Sequence, residues 1–240
     1  MSAISGTRGG GLLASALARA QSWLIEPIEP RLKRVEIRAR PVVAVVGLAR
    51  GSGATTTARA LAVELARRDS SGAAAVMGES NAGRVPVAHA SATRLARALG
   101  AAGGATVCTS GRLCLVAGGD PATVVAAGRH LAPLVIDIEH GGAAGVAASL
   151  ADHVAVVASP STEPALSDVV TASLARVGPE PLLLLNRVGS GEPEASRAAH
   201  RLPESRAGAR LALAGGAPRG LLSAAVGRLA DDCEMPRAEW

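Results

Sequence analysis

VVAVVGLARGSGATTT, residues Val42–Thr57, is the stretch on which the reading of this chain turns. Val42 to Val46 are apolar and mostly β-branched, the mark of a short buried strand. Gly47, Gly51 and Gly53 break that pattern. After the threonines, an alanine-rich helical pattern runs from Ala58 to Arg68. Strand, glycine turn and helix in that order are the parts of a phosphate-binding loop. The glycines let backbone N–H groups from Gly51 to Thr55 converge on an anion, and the helix start adds the positive end of its dipole. A hydroxyl such as that of Thr55, at the start of the helix, can hold Mg²⁺. Against the common G-x-x-x-x-G-K-[ST] pattern, Gly47 falls one place early, and Ala54 stands where a lysine would reach the β- and γ-phosphates. The chain's only lysine is Lys33, well upstream. The stretch therefore reads as a degenerate phosphate loop, with an ordinary tight β–α turn as the plainer alternative.

Composition bounds what surrounds it. The chain has 240 residues, enough for one sizeable core. Apolar residues make up 48%, yet there is no Phe or Tyr and only two Trp, so the core must be built from Ala, Val and Leu. A formal charge of +5 permits an acidic partner without demanding one. Cys108, Cys114 and Cys233 lack metal-ligand spacing, and isolated thiols fit a reducing compartment. No apolar run approaches the roughly eighteen residues of a membrane span, and the N-terminus lacks a signal-peptide layout. The expectation is a cytoplasmic protein, with a peripheral position at a membrane or nucleoid left open.

Outward from the loop, residues 1–40 read as a separate N-terminal segment. Leu13, Ala16, Leu17, Ala20 and Leu24 recur at helical spacing, ended by prolines at 27 and 30. Arg31, Lys33, Arg34, Arg38 and Arg40 follow as a basic cluster. This segment suits a protein partner, packing on the domain, or a membrane surface. Residues 41–231 alternate strands with helices. Strands are expected at Ala73–Met77, Leu113–Ala117, Leu134–Ile138, Val154–Ala158 and Leu182–Leu185, and helices at Ala90–Leu99, Glu163–Arg176 and Leu221–Ala230. Another helix opens at Asp120, which caps it with Pro121 at the first position. Residues 232–240 read as a charged tail. Continuous Val/Leu/Ile strands separated by helices indicate a doubly wound, mostly parallel α/β sheet with helices on both faces. Such sheets bind ligands at the carboxyl ends of their strands, where every glycine-rich or polar cluster here falls.

Five of these clusters, in their order, resemble the MinD/ParA family of partitioning ATPases, deviant phosphate-loop NTPases whose loop reads KGGxGKTT. Laid over it, this chain has Ala49-Arg50-Gly51-Ser52-Gly53-Ala54-Thr55-Thr56. Leu134–Gly141 (LVIDIEHG) is similar to the family's acidic strand and switch, and Asp137 takes the position that supports Mg²⁺ through water. Val154–Glu163 looks like the stretch after the switch. LLLLNRV places Asn186 where the family reads adenine, and Leu202-Pro203-Glu204 resembles the segment flanking it. The resemblance spans about residues 41–230. It implies ATP and Mg²⁺ as ligands, with Arg50, Gly51, Ser52, Gly53, Ala54, Thr55, Thr56, Asn186 and Pro203 around the nucleotide and Thr55 and Asp137 toward the metal. It also implies a homodimer and a role in cell division or chromosome partitioning, on DNA or a membrane surface.

The departures point away from catalysis. Ala49 and Ala54 replace both family lysines, and Gly78-Glu79-Ser80 lacks the first-switch aspartate. Phosphoryl transfer depends on positioning and charge neutralisation, so hydrolysis is expected to be weak or absent, with nucleotide binding retained. Two alternatives stand beside this: a scaffold that binds no nucleotide, and an active ATPase using Arg50. Glu139 as a substitute carboxylate and His140 as a catalytic group are weaker candidates than an ordinary strand end and an exposed loop histidine.

Overall fold

The computed structural model describes residues 40–77, 93–102, 104–139, 141–189 and 198–235. The N-terminal helix, the Gly78-Glu79-Ser80 segment, the start of the helix expected from Ala90, His140 and the end of the tail lie outside the described residues. What is described belongs to the unit from residue 39 onward. Arg40, grouped by sequence with the basic cluster, is anchored in this unit. It reaches Asp69 at 3.3 Å, the His130 carbonyl at 2.6 Å and Ser71 at 3.1 Å.

The strands are β1 (Val42–Gly47), β2 (Ala73–Met77), β3 (Thr106–Ser110), β4 (Leu113–Ala117), β5 (Leu134–Glu139), β6 (His153–Ala158), β7 (Leu182–Val188) and β8 (His200–Pro203). They form one sheet in the order β3-β4-β2-β5-β1-β6-β7-β8. All neighbours are parallel except β3, which runs antiparallel to β4. The helices are α1 (Ala54–Arg68), α2 (Arg94–Gly100), α3 (Pro121–Gly128), α4 (Gly142–Leu150), α5 (Pro164–Ala175), α6 (Arg206–Leu213) and α7 (Leu221–Glu234). The doubly wound reading holds.

Both faces are covered because the side chains of β1 alternate between two cores. Val42, Ala44 and Val46 pack with Leu99 of α2, Val124 of α3, Ala147 of α4 and Leu174 of α5. Val43 and Val45 pack with Leu61 and Leu65 of α1 and Leu229 of α7. Strands buried on both sides carry unbroken apolar runs, which is why β1, β2, β4, β5 and β6 were legible. Asp120 caps α3 as expected, accepting from the Thr123 N–H at 2.9 Å with Pro121 at the first position.

Five elements differ from expectation. β3 (TVCTS) is a half-exposed edge strand with no apolar run. It forms because Gly111, at φ 58°, opens a two-residue turn back into β4. β8 is a short edge strand ending at Pro203, where a proline costs the ladder nothing. α4 and α6 contain glycines that lower helix propensity, and burial of Ala144, Ala147 and Ala148 (α4) and of Ala212 (α6) holds them. α7 also runs on to Glu234, because Arg68 of α1 bonds Asp231 at 2.7 Å and Glu234 at 3.0 Å. No helix among the described residues is long and apolar enough to cross a membrane.

Candidate functional site

Parallel strands bring their carboxyl ends to one edge, and the loop after β1 sits at its middle, between β5 and β6. Leu48 donates its N–H to the Val157 carbonyl at 3.1 Å, so the loop leaves along β6. Ala49 to Ser52 form a turn closed by the Ser52 N–H on the Ala49 carbonyl at 3.0 Å, with Gly51 at φ 80° in the third position. Gly53, at φ 91°, precedes α1, and its carbonyl accepts from the Thr57 N–H at 2.9 Å and the Thr57 hydroxyl at 3.0 Å. No side chain caps α1, so the first N–H groups of the helix are left for another acceptor. Gly47 is required by packing: a Cβ there would lie 2.9 Å from both the Ala54 Cβ and the Ser52 Oγ.

One correction follows for the anion cradle. The Ser52 N–H is spent on Ala49, so it drops out of the set running from Gly51 to Thr55. Ser52 is 3% exposed and braces the loop from within.

The brace is completed from the far side of the sheet. Asn186 in β7 donates its Nδ2 to the Ser52 carbonyl at 2.7 Å. A Cβ on Gly53 would fall 1.9 Å from that nitrogen, so only glycine fits beneath the amide. Just beyond, the pairing of β7 with β8 shifts register between Asn186 and Val188. The extra residue is Arg187, at φ 61°, the only non-glycine residue with positive φ among those described.

A cavity of about 290 Å³ opens between these parts. Gly53 and Thr56 line it on the loop side, Asn186 and Pro203 at the ends of β7 and β8. Four residues named from sequence thus meet in one place. Arg50 and Gly51 are exposed on the loop outside the lining, Ala54 is buried at 8% exposure, and Thr55 is half-buried in the first turn of α1. Asp137 is 1% exposed. It pairs with Val45 and follows Val135 by two residues, so it shares the face that α1 covers.

Sequence reasoning missed Arg187, Ser205, Arg206, Leu222 and Val226, which also line the cavity. Ser205 was findable: it caps α6 through the Gly208 N–H at 3.0 Å, and serine before a helical pattern signals that role. The apolar wall from α7 and the bulge at Arg187 had no local signal.

The fold recurs in solved structures. A ParA family ATPase from Chlorobium tepidum superposes with TM-score 0.55 at 17% identity, covering 80% of this chain and 99% of the other. The Pyrococcus furiosus cell division ATPase MinD gives 0.58 at 19%, covering 81% and 98%. The fold is that of the MinD/ParA ATPases. MinD in the MinC:MinD cell division complex of Aquifex aeolicus matches equally well, at 0.58 and 15% identity over 80% of this chain and 95% of that one. No family model and no curated protein matches the sequence. In this chain the loop after β1 and the ends of β7 and β8 line one cavity, and the loop carries an exposed Ala49 and a buried Ala54.

Proposed function

We propose that this protein binds ATP with Mg²⁺ between the loop and the β7–β8 edge. We further propose that it serves as a MinD/ParA-like positioning or partitioning protein whose output is dimerisation and partner recruitment, with weak or absent hydrolysis. The observation that carries the reading is the single cavity joining the start of α1 to Asn186 and Pro203. The uncapped N–H groups of α1 offer an anion site at one end. Asn186, whose amide lies beside Gly53, spends one Nδ2 N–H on Ser52 and keeps its Oδ1 acceptor and a second N–H. That Oδ1 can accept from the exocyclic amino group of adenine.

Thr55 and Asp137 fit magnesium by chemistry, since a hydroxyl and a buried carboxylate are the hard oxygen donors that ion takes. The described residues contain no cluster of three His, Cys, Asp or Glu that could hold a metal, so ligand phosphates and water would complete the coordination. Bound there, the ion would neutralise phosphate charge. Without either lysine, and with Arg50 outside the cavity lining, the loop itself places no cation in the cavity, which supports binding without turnover.

Calorimetry with ATP·Mg²⁺ and GTP·Mg²⁺ tests this. Measurable binding of ATP, weaker binding of GTP and loss of both in Gly53→Val support the reading. No heat from the native protein, and none from Ala54→Lys, refutes it in favour of a scaffold that acts through its surface and its N-terminal segment.

A further inference from the structure

The loop lacks both lysines, yet the cavity does not lack positive charge. Arg187 and Arg206 line it, opposed by Glu204 alone. Among the described residues none of these three side chains makes a hydrogen bond or ion pair. The two arginines are not equivalent. Arg206 sits in the first turn of α6 with ordinary helical geometry. Arg187 is held at φ 61° in a β-bulge, a conformation that L-residues other than glycine, asparagine and aspartate seldom adopt.

That strain has a geometric consequence. In a regular strand, successive side chains point to opposite faces, so residues 186 and 187 could not both serve one site. The bulge between Asn186 and Val188 breaks this alternation. Asn186 then reaches the Ser52 carbonyl while Arg187 lines the adjoining cavity. The chain thus keeps a bulky cationic residue in a backbone state better suited to glycine, one residue from the side chain that touches the phosphate loop. Strained residues of this kind concentrate where a ligand is held.

We propose that Arg187 is the ligand-binding cation of this site, a specificity-determining residue that meets the phosphates of the bound nucleotide and stands in for the positive charge absent at Ala49 and Ala54. The inference rests on the nucleotide reading above. A guanidinium forks onto two phosphate oxygens, which suits a flexible reach from a rim position. Coming from β7 rather than from the loop, it would bind phosphate without the loop lysine's placement.

The test is calorimetry of the full chain with ATP·Mg²⁺ and with adenosine, on the native protein, Arg187→Gly, Arg187→Asn and Arg187→Lys. Glycine and asparagine both accept a left-handed backbone, so the bulge survives in each. The expected result is a loss of about tenfold or more in ATP affinity for both, with adenosine affinity unchanged. Arg187→Lys should recover most of the loss, and the thermal midpoint of Arg187→Gly should be no lower than that of the native protein. ATP affinity within twofold of native in the glycine and asparagine variants overturns the role of Arg187 while leaving the nucleotide reading intact. Equal losses for ATP and adenosine also overturn it, because a charge contact would not touch adenosine. Absence of ATP binding by the native protein removes both.

Discussion

Replacing Gly53 by alanine adds one carbon at a place where the structure leaves no room. Two costs arise. The left-handed backbone at φ 91° disfavours any L-residue by about 1–2 kcal/mol. The new Cβ would sit 1.9 Å from the Asn186 Nδ2, so the amide must leave its bond to Ser52. Stranding a largely buried carbonyl adds about 1–3 kcal/mol. The sum is about 2–5 kcal/mol, and at about 2–4 °C per kcal/mol for a domain of this size the thermal midpoint should fall by roughly 4–20 °C. Asn186→Ala alone carries only the carbonyl term. In the double variant the collision no longer exists and the carbonyl is already stranded, so only the backbone strain of Gly53→Ala should be added. The two substitutions should therefore be non-additive by about 1 kcal/mol or more in a double-mutant cycle measured by urea unfolding. Additivity within about 0.3 kcal/mol would refute the claim that Asn186 braces the loop through Ser52.

Phosphate release from ATP should stay at background. Turnover typical of a partitioning ATPase, abolished by Arg50→Ala, would instead establish an arginine rescue. Ala54→Lys should strengthen ATP binding roughly ten- to a hundred-fold by adding one charged contact, since its Cβ occupies a position already filled; calorimetry reads the gain, and none would mean the loop no longer receives phosphate. Burial pushes the Cys114 thiol from its ordinary 9.0 up to about 11, against an opposing hydrogen bond with Thr93. The neutral thiol is the form the fold favours, so its contribution is whole below about pH 9 and lost as pH rises toward about 11. The chain has no tyrosine and a single lysine to compete in that alkaline window. The thermal midpoint should decline across it in the native protein and stay flatter in Cys114→Ala; parallel curves would show that the thiol is not the group titrating. Deleting residues 1–30 should leave the thermal transition in place while altering localisation or partner binding, and an insoluble product would make that segment part of the core.

The N-terminal ends of the strands hold the unit together by separate means. Arg40 ties the chain entering β1 to Asp69, Ser71 and His130, and Asp152 accepts from the Val42 N–H at 2.8 Å. These contacts lie at the opposite edge from the cavity, so a substitution such as Arg40→Ala tests stability apart from binding.

Continuous apolar runs made β1, β2, β4, β5 and β6 legible before any coordinates, because a strand buried on both faces must be apolar at every position. The glycine turn after β1 and the Asp120–Pro121 cap were equally local, since each is decided by the backbone demands of a few adjacent residues. Asn186 and Pro203 were legible only through the order of motifs, and the structure gathers them with Gly53 and Thr56 around one cavity. The rest depended on which segments became neighbours. β3 carries threonine, serine and cysteine, and is a strand only because a tight turn lays it against β4. Asn186 and Ser52 are 134 positions apart, so their hydrogen bond exists only once β6 and β7 lie side by side. The bulge that sets Arg187 at φ 61° comes from the fit of β7 to β8, and no periodicity in LLLLNRV announces it. Local sequence determines which segments are buried and where the chain turns; tertiary packing alone decided which side chains brace the loop and which charges face the cavity, because those contacts join groups distant in the chain.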